Sequence, residues 1–260
     1  MTRVTPKKSL GQHFLVDRNL LGVIERLAQL QSDDVVLEVG PGLGVLTAFL
    51  ADRVRHVHAV ELDRSLEEPL REALAGRENV SILFRDAMAV DVASLEPTPG
   101  KLVANLPYNV ATPLVAESLT AGRPVDCWCV MVQREVADRF FADPSTKAYG
   151  AVSVLVALHA RRTGFHPVSR TVFRPPPNVD SALVAFERIP APRNADQVLR
   201  VVSAAFGHRR KTLANALALG GVASREAAVA GLVAIDRPPD VRAEALRPEE
   251  FVALTEALAA

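Results

Sequence analysis

The chain has 260 residues, 49% of them hydrophobic and 23% charged, and its 30 basic and 30 acidic groups leave no formal net charge. That composition excludes a disordered chain, a collagen-like chain and a coiled coil. No apolar run reaches the ~18–20 residues that span a bilayer. Met1 to Leu10 hold Arg3, Pro6, Lys7 and Lys8 but no apolar signal core, so a cytoplasmic protein without a membrane partner is expected. The two cysteines, Cys127 and Cys129, are spaced for neither zinc nor a CxxC redox pair, and two reduced thiols packed as small hydrophobes are predicted.

The zero net charge hides an uneven distribution. Residues 1–31 carry net +3, residues 32–160 net −7, residues 161–211 net +7 and residues 212–260 net −3. Basic segments on either side of an acidic middle suit contact with a polyanion, although scattered solvated arginines would give the same tally.

Taken in chain order, Val35 to Val39 is a short apolar run closed by Gly40-Pro41-Gly42-Leu43-Gly44, the pattern of a buried parallel strand. A helical pattern follows over 45–53. His56 to Val60 predicts a second strand, ended by Glu61-Leu62-Asp63, and residues 64–75 are rich in good helix formers. Val80 to Phe84 predicts a third strand, ended by Arg85-Asp86, and Leu102 to Ala104 a fourth, ended by Asn105-Leu106-Pro107-Tyr108. A helix over 112–121 and a strand over 125–132 come next. This alternation implies βαβ units: an α/β fold with a mostly parallel twisted sheet and helices on both faces. Helices are expected over 133–142 and 149–160, a stiff irregular loop around Pro175-Pro176-Pro177, and a last strand over 181–189. Pro190 to Arg193 reads as a linker. Residues 195–260, rich in Ala and Leu, predict a small all-helical domain, so the expected division is 1–189 and 190–260.

Ligands of parallel sheets bind outside the carboxyl ends of the strands. The glycine segment reads G-x-G-x-G with Glu38 just before it, not the G-x-G-x-x-G of dinucleotide binders, and a plain tight turn would also explain it. Glu61 ends the next strand, where a carboxylate can accept both hydroxyls of a ribose, and Asp86 could accept from an adenine amino group. NAD and S-adenosyl-L-methionine fit these acids equally. Asn105-Leu106-Pro107-Tyr108 separates the two. The exocyclic amine of adenine is a poor nucleophile because its lone pair is delocalised into the ring. If Asn105 Oδ1 and a backbone carbonyl, most simply that of Leu106, each accept one N–H, the nitrogen turns toward sp³ geometry and can attack a sulfonium methyl. Pro107 fixes the local backbone, and Tyr108 offers a stacking face.

The chain resembles the KsgA/RsmA family of small-subunit rRNA adenine N6-dimethyltransferases, on a class I methyltransferase (Rossmann-like) fold. The resemblance is carried by Lys8-Ser9-Leu10-Gly11-Gln12-His13-Phe14-Leu15, Glu38 to Gly44, Glu61-Leu62-Asp63, Asp86-Ala87-Met88 and Asn105 to Tyr108. It continues through Lys147-Ala148-Tyr149-Gly150, Phe173 to Ser181 and Phe206 to Leu213. It implies that His13 and Leu15 contact S-adenosylmethionine, that Gly40 lies against its methionine part, that Glu61 holds the ribose and Asp86 the adenine. It also implies that Asn105 sits where cofactor and target meet, and that Phe173 lies over the target adenine opposite Tyr108. His13 stands where the family usually has asparagine, Ala111 where a small hydroxyl residue is common, and the basic N-terminal tail is short. The implied substrate is a hairpin loop with two adjacent adenosines near the 3′ end of 16S rRNA, within an immature small ribosomal subunit and acted on by a monomer. Arg161, Arg162, Arg170, Arg174, His208, Arg209, Arg210 and Lys211 are expected to form the phosphate-binding surface.

Other readings compete with this one. A dehydrogenase would want the third glycine spacing and a Tyr-x-x-x-Lys-like pair, and a DNA adenine methylase an Asp-Pro-Pro-Tyr-like motif. A large-subunit rRNA methylase of the resistance type shares much of the site. A non-catalytic small-subunit assembly factor would bind the same particle.

Overall fold

A computed structural model describes Lys7 and residues 12–120, 123–208 and 210–259. The chain folds into two compact units, one of residues 1–137 with 161–188 and the other of 138–160 with 189–260. The sequence expectation placed one cut at 189/190. Residues 138–160 instead belong to the C-terminal unit, because Tyr149, Val154 and Leu158 are buried in its core.

The first unit is built on a seven-stranded sheet. Its strands are β2 (Val35–Val39), β3 (His56–Glu61), β4 (Val80–Phe84), β5 (Lys101–Asn105), β6 (Cys127–Gln133), β7 (Ala160–Val168) and β9 (Ser181–Arg188), in the order β4-β3-β2-β5-β6-β9-β7. The four pairings from β4 to β6 are parallel, and β9 runs antiparallel to β6. The expected class I architecture is present. β6 reads as an apolar run and β2 as one broken only by Glu38, because both of their faces are covered. α1 (Asn19–Ala28) packs on β6 and β9, burying Leu20, Leu21, Ile24 and Ala28, while α2 (Val45–Ala51) packs on β3. Between them lie Val36, Val57, Val103 and Met131 from the sheet. Elsewhere on the sheet, Trp128 stacks on its register partner Phe186 with centroids 5.0 Å apart. Cys127 is half-buried and Cys129 buried, and both are free. Burial pushes the Cys129 thiol up to about 12.

β7 was not foreseen. The helix α6 (Ala151–His159) stops at the residue before it, and the strand then carries Arg161, Arg162 and Thr163 on an exposed edge. Edge strands are commonly charged, and Pro167 is tolerable only at such a position. The exposed charges protect that edge. A second ladder was also missed. β1 (Phe14–Leu15) pairs antiparallel with β8 (Phe173–Arg174), with Leu15 opposite Phe173.

The second unit is helical among its described residues. Beyond α6 it holds α7 (Ala195–Gly207), α8 (Leu213–Leu219), α9 (Arg225–Ala234) and α10 (Pro248–Ala259). These helices bury Val198, Leu213, Leu232 and Phe251 in one cluster. The Tyr149 hydroxyl donates to Leu246 O at 2.8 Å. No described helix is long and apolar enough to cross a membrane.

Candidate active site

Parallel strands bring their carboxyl ends to one edge, and the strand order reverses between β2 and β5. A cleft forms there. Its volume is about 820 Å³ including the solvent at its mouth, and its walls include His13, Gly40, Glu61, Asp86, Asn105 and Tyr108. Residues predicted from four separate strand ends thus converge.

The glycine loop leaves β2 with positive φ at Gly40 (75°) and Gly42 (57°), a region that costs a side-chain-bearing residue energy. A Cβ on Gly40 would lie 3.1 Å from Pro107 Cδ and Cγ, and one on Gly42 3.0 Å from Phe14 Cδ1. The loop packs this closely against Pro107 and Phe14 only because both positions lack a side chain. Glu61 fastens this loop. Its Oε2 accepts from Gly42 N at 3.1 Å and its Oε1 from Asp63 N at 2.8 Å. Burial raises its carboxyl above the ordinary value, with these backbone bonds opposing. Each oxygen keeps a second lone pair for a hydroxyl donor. Asp86 is exposed and accepts from Met88 N at 2.9 Å through Oδ1, capping a short turn. The other oxygen remains for a ligand amine.

Asn105 ends β5. Its Nδ2 donates to His13 O at 3.3 Å, and a carbonyl can only accept, so the amide orientation is determined: Oδ1 is the acceptor left over. Leu106 donates its backbone N–H to Met131 O at 3.0 Å, and Pro107 O accepts from Val110 N and Ala111 N at the start of α4 (Ala111–Leu119). The turn is therefore held from both sides. The Tyr108 hydroxyl lies 2.8 Å from Ser181 Oγ in β9, and burial raises its phenol above the usual value.

His13 lines the cleft. Its Nδ1 lies 2.7 Å from Pro175 O, which can only accept, so the Nδ1 hydrogen is committed to that bond. Its ring centroid lies 5.6 Å from that of Tyr108. Leu15 is buried. It lines a smaller cavity beside the glycine loop rather than the main cleft. Phe173 is displaced from the expected arrangement. It is 2% exposed, paired with Leu15 and packed among Leu20, Ile24 and Leu183 in the core, so neither face of its ring is open to a base.

Of the expected basic residues, Arg161, Arg162, Arg170 and Arg174 are exposed in the first unit, and Arg210 and Lys211 in the second. Arg161 is ion-paired with Glu187, which offsets its charge. Arg209 lies outside the described residues, as does the stretch Lys8 to Gly11.

Three further features lay beyond sequence reasoning. Gln12 and Arg85 line the cleft. Asp63 accepts from Lys7 Nζ at 2.6 Å and from Gln12 Nε2 at 2.8 Å, tying that segment to the end of β3. Burial would raise the Asp63 carboxyl, but the bonds from Lys7, Ser65 and Gln12 outweigh it and hold the group well below the carboxylate range. The third is Glu38, buried in β2, whose signal was a charged residue inside an apolar parallel strand.

A family model described as Ribosomal RNA adenine dimethylase matches residues 3–259. A protein of Rubrobacter xylanophilus named Ribosomal RNA small subunit methyltransferase A is 48% identical over 250 residues, covering 96% of this chain and 94% of its own length. Among solved structures, the 23S rRNA methyltransferase ErmE aligns with a TM-score of 0.69 at 28% identity, covering 95% of this chain and all of its own. A dimethyladenosine transferase from Plasmodium falciparum aligns with a TM-score of 0.75 at 24% identity, covering 93% of this chain and 96% of that one, a likeness of fold. The family match begins before the strand-end cleft and runs on through the helical unit, and by it the chain belongs to the ribosomal RNA adenine dimethylases.

Proposed function

We propose that the chain transfers methyl groups from S-adenosylmethionine to N6 of two adjacent adenosines in the 3′-terminal hairpin loop of 16S rRNA. It acts as a cytoplasmic monomer on an immature small subunit. The observation that carries this reading is the anchored Asn105 amide, whose Nδ2 is committed to His13 O while Oδ1 is left to accept.

The residues present fit the donor. Gly40 and Gly42 line the cleft, Glu61 offers lone pairs to a ribose, and Asp86 offers an oxygen to an adenine amine. When bound, S-adenosylmethionine supplies an electrophilic sulfonium methyl. The chain's own part is positioning. Asn105 Oδ1 and the Leu106 carbonyl take the two N–H groups of the target amine and aim its lone pair. Such orientation is worth up to about 7–11 kcal/mol. The methylated amine sheds its extra proton readily to water, so no side chain is required as a strong base. The target base must leave its stack, at a cost of a few kcal/mol that is smaller in a loop.

Tyr108 serves as the stacking face, held by Ser181. Tyr108→Ala should weaken binding of an adenosine hairpin about 10- to 100-fold, the ~1–3 kcal/mol usual for one base on an aromatic ring. Tyr108→Phe should stay near wild type. Equal losses in both variants, measured by fluorescence anisotropy, would assign the effect to the hydroxyl instead.

Phosphate contacts are proposed for Arg162, Arg170 and Arg174 in the first unit and for Arg210 and Lys211 in the second. Arg161 contributes less because of Glu187. Arg170→Ala with Arg174→Ala should reduce the slope of log K against log salt by about one to two. Arg210→Ala with Lys211→Ala should act similarly. A pair that leaves the slope unchanged does not touch phosphate.

Methylation of large-subunit RNA is the second reading, favoured by the likeness to ErmE. The name of the 48% identical relative supports the small subunit. Incubation of the protein and labelled donor with under-methylated small or large subunits separates the two. Label is expected in small-subunit RNA, and label confined to the large subunit would reverse the assignment.

A further inference from the structure

Phe165 lies in β7 and is 36% exposed, the only exposed Phe, Tyr or Trp side chain among the described residues. A lone apolar residue at the surface needs no explanation. Phe165 is not alone. The guanidinium carbon of Arg134 lies 4.9 Å from the centroid of its ring, a cation–π pair. Arg134 is itself exposed and directly follows β6, at the sheet edge where Asn105 ends β5.

The pair is tied to the candidate active site through two consecutive residues. Arg134 N donates to Asp180 O at 3.0 Å, and Arg170 N donates to Asp180 Oδ1 at 3.0 Å. The next residue, Ser181, holds the Tyr108 hydroxyl at 2.8 Å. Asp180 and Ser181 therefore gather an aromatic ring paired with a cation, a second exposed arginine and the stacking face proposed for the target base. Each nucleotide of a single strand offers a flat π face and a phosphate. A ring beside arginines takes both. An apolar peptide would use the ring and leave the arginine charges unmatched.

We propose that Phe165, paired with Arg134, is a second stacking platform, for a nucleobase that flanks the target adenosine in the same loop. Arg134 and Arg170 meet the phosphates beside that base. A flanking base held on Phe165 no longer stacks on the target, which offsets part of the cost of turning the target out. The inference rests on the chain acting on an RNA hairpin.

Fluorescence anisotropy of a labelled hairpin with two adjacent adenosines tests it. Phe165→Leu should weaken binding about 10-fold, as expected for one base on an aromatic ring, and Phe165→Trp should stay near wild type. Neither change should alter the salt slope, because stacking releases no counter-ion, nor the affinity for S-adenosylhomocysteine. Hairpins with an abasic nucleotide at each loop position next to the adenosines locate the base. At one position the abasic hairpin should bind wild type about 10-fold more weakly and lose nothing further in Phe165→Leu. A Phe165→Leu variant that binds like wild type overturns the proposal. Equal losses in Phe165→Leu and Phe165→Trp, or additive losses at every abasic position, overturn it too. A loss seen only with whole small subunits places Phe165 against a protein of the particle and has the same consequence. If wild type does not bind the hairpin at all, the RNA reading itself fails, a result distinct from all of these.

Discussion

Asn105→Ala should lower kcat for methyl transfer by about a hundred- to a thousand-fold, the loss typical of deleting one polar group aimed at a transition state. The substitution removes Oδ1, one of the two acceptors proposed for the target amine. It also removes the Nδ2 bond to His13 O, so some weakening of donor binding is expected. RNA affinity should stay nearly intact, because the phosphate contacts lie elsewhere. Asn105→Asp keeps an acceptor oxygen but turns its other oxygen toward a carbonyl that needs a donor, and its rate should fall between alanine and wild type. Single-turnover kinetics with saturating RNA read this directly. A loss confined to KM would show that Asn105 binds RNA rather than positions the reacting amine. Full ribosome-assembly function in the alanine variant would leave room for a role of the protein that needs no chemistry.

The second large effect is on stability and its pH dependence. Glu38 has a folded-state pKa raised from 4.5 to about 8. A raised carboxyl stabilises the fold fully below its unfolded value, and that contribution is lost as pH climbs toward the folded value. Between pH 4.5 and 8 the unfolded chain has released this proton and the folded chain still holds it. Stability of the ligand-free protein should therefore fall by up to about 1.4 kcal/mol per pH unit on account of Glu38. Glu61 acts in the same sense, its carboxyl also being raised by burial. Glu38→Gln removes the Glu38 share, so its melting temperature should exceed that of wild type at pH 8 and the gap should close near pH 5. Thermal melts across that range test it. A gap that does not change with pH would mean Glu38 is already ionised in the folded protein.

What the sequence made legible follows from how parallel sheets bury their strands. Val35 to Val39 and the core of β6 have both faces covered, so each is a largely apolar run, and the polar residues that end such runs gather at one edge. That is why Gly40, Glu61, Asp86 and Asn105 could be assigned to a common cleft from their places at the strand ends. β7 was hidden by the same logic, since an edge strand with Arg161, Arg162 and Thr163 exposed carries no apolar period. The ladder of Phe14–Leu15 with Phe173–Arg174 is two residues long on each side and leaves no pattern at all. It nonetheless decides the fate of Phe173, which tertiary packing draws into the core. The grouping of 138–160 with the C-terminal helices depends on where Tyr149 and Val154 find a core, which local periodicity does not encode. The protonation of Glu38 is likewise a property of its surroundings rather than of its residue type.

The most direct test of this mechanism is a crystal structure of the protein with S-adenosylhomocysteine and an RNA hairpin carrying two adjacent adenosines. One adenine should be turned out of its stack and lie on Tyr108, with its N6 within about 3 Å of both Asn105 Oδ1 and the Leu106 carbonyl oxygen. An adenine left stacked in the hairpin, or an Asn105 amide rotated so that Oδ1 faces away from N6, would contradict it.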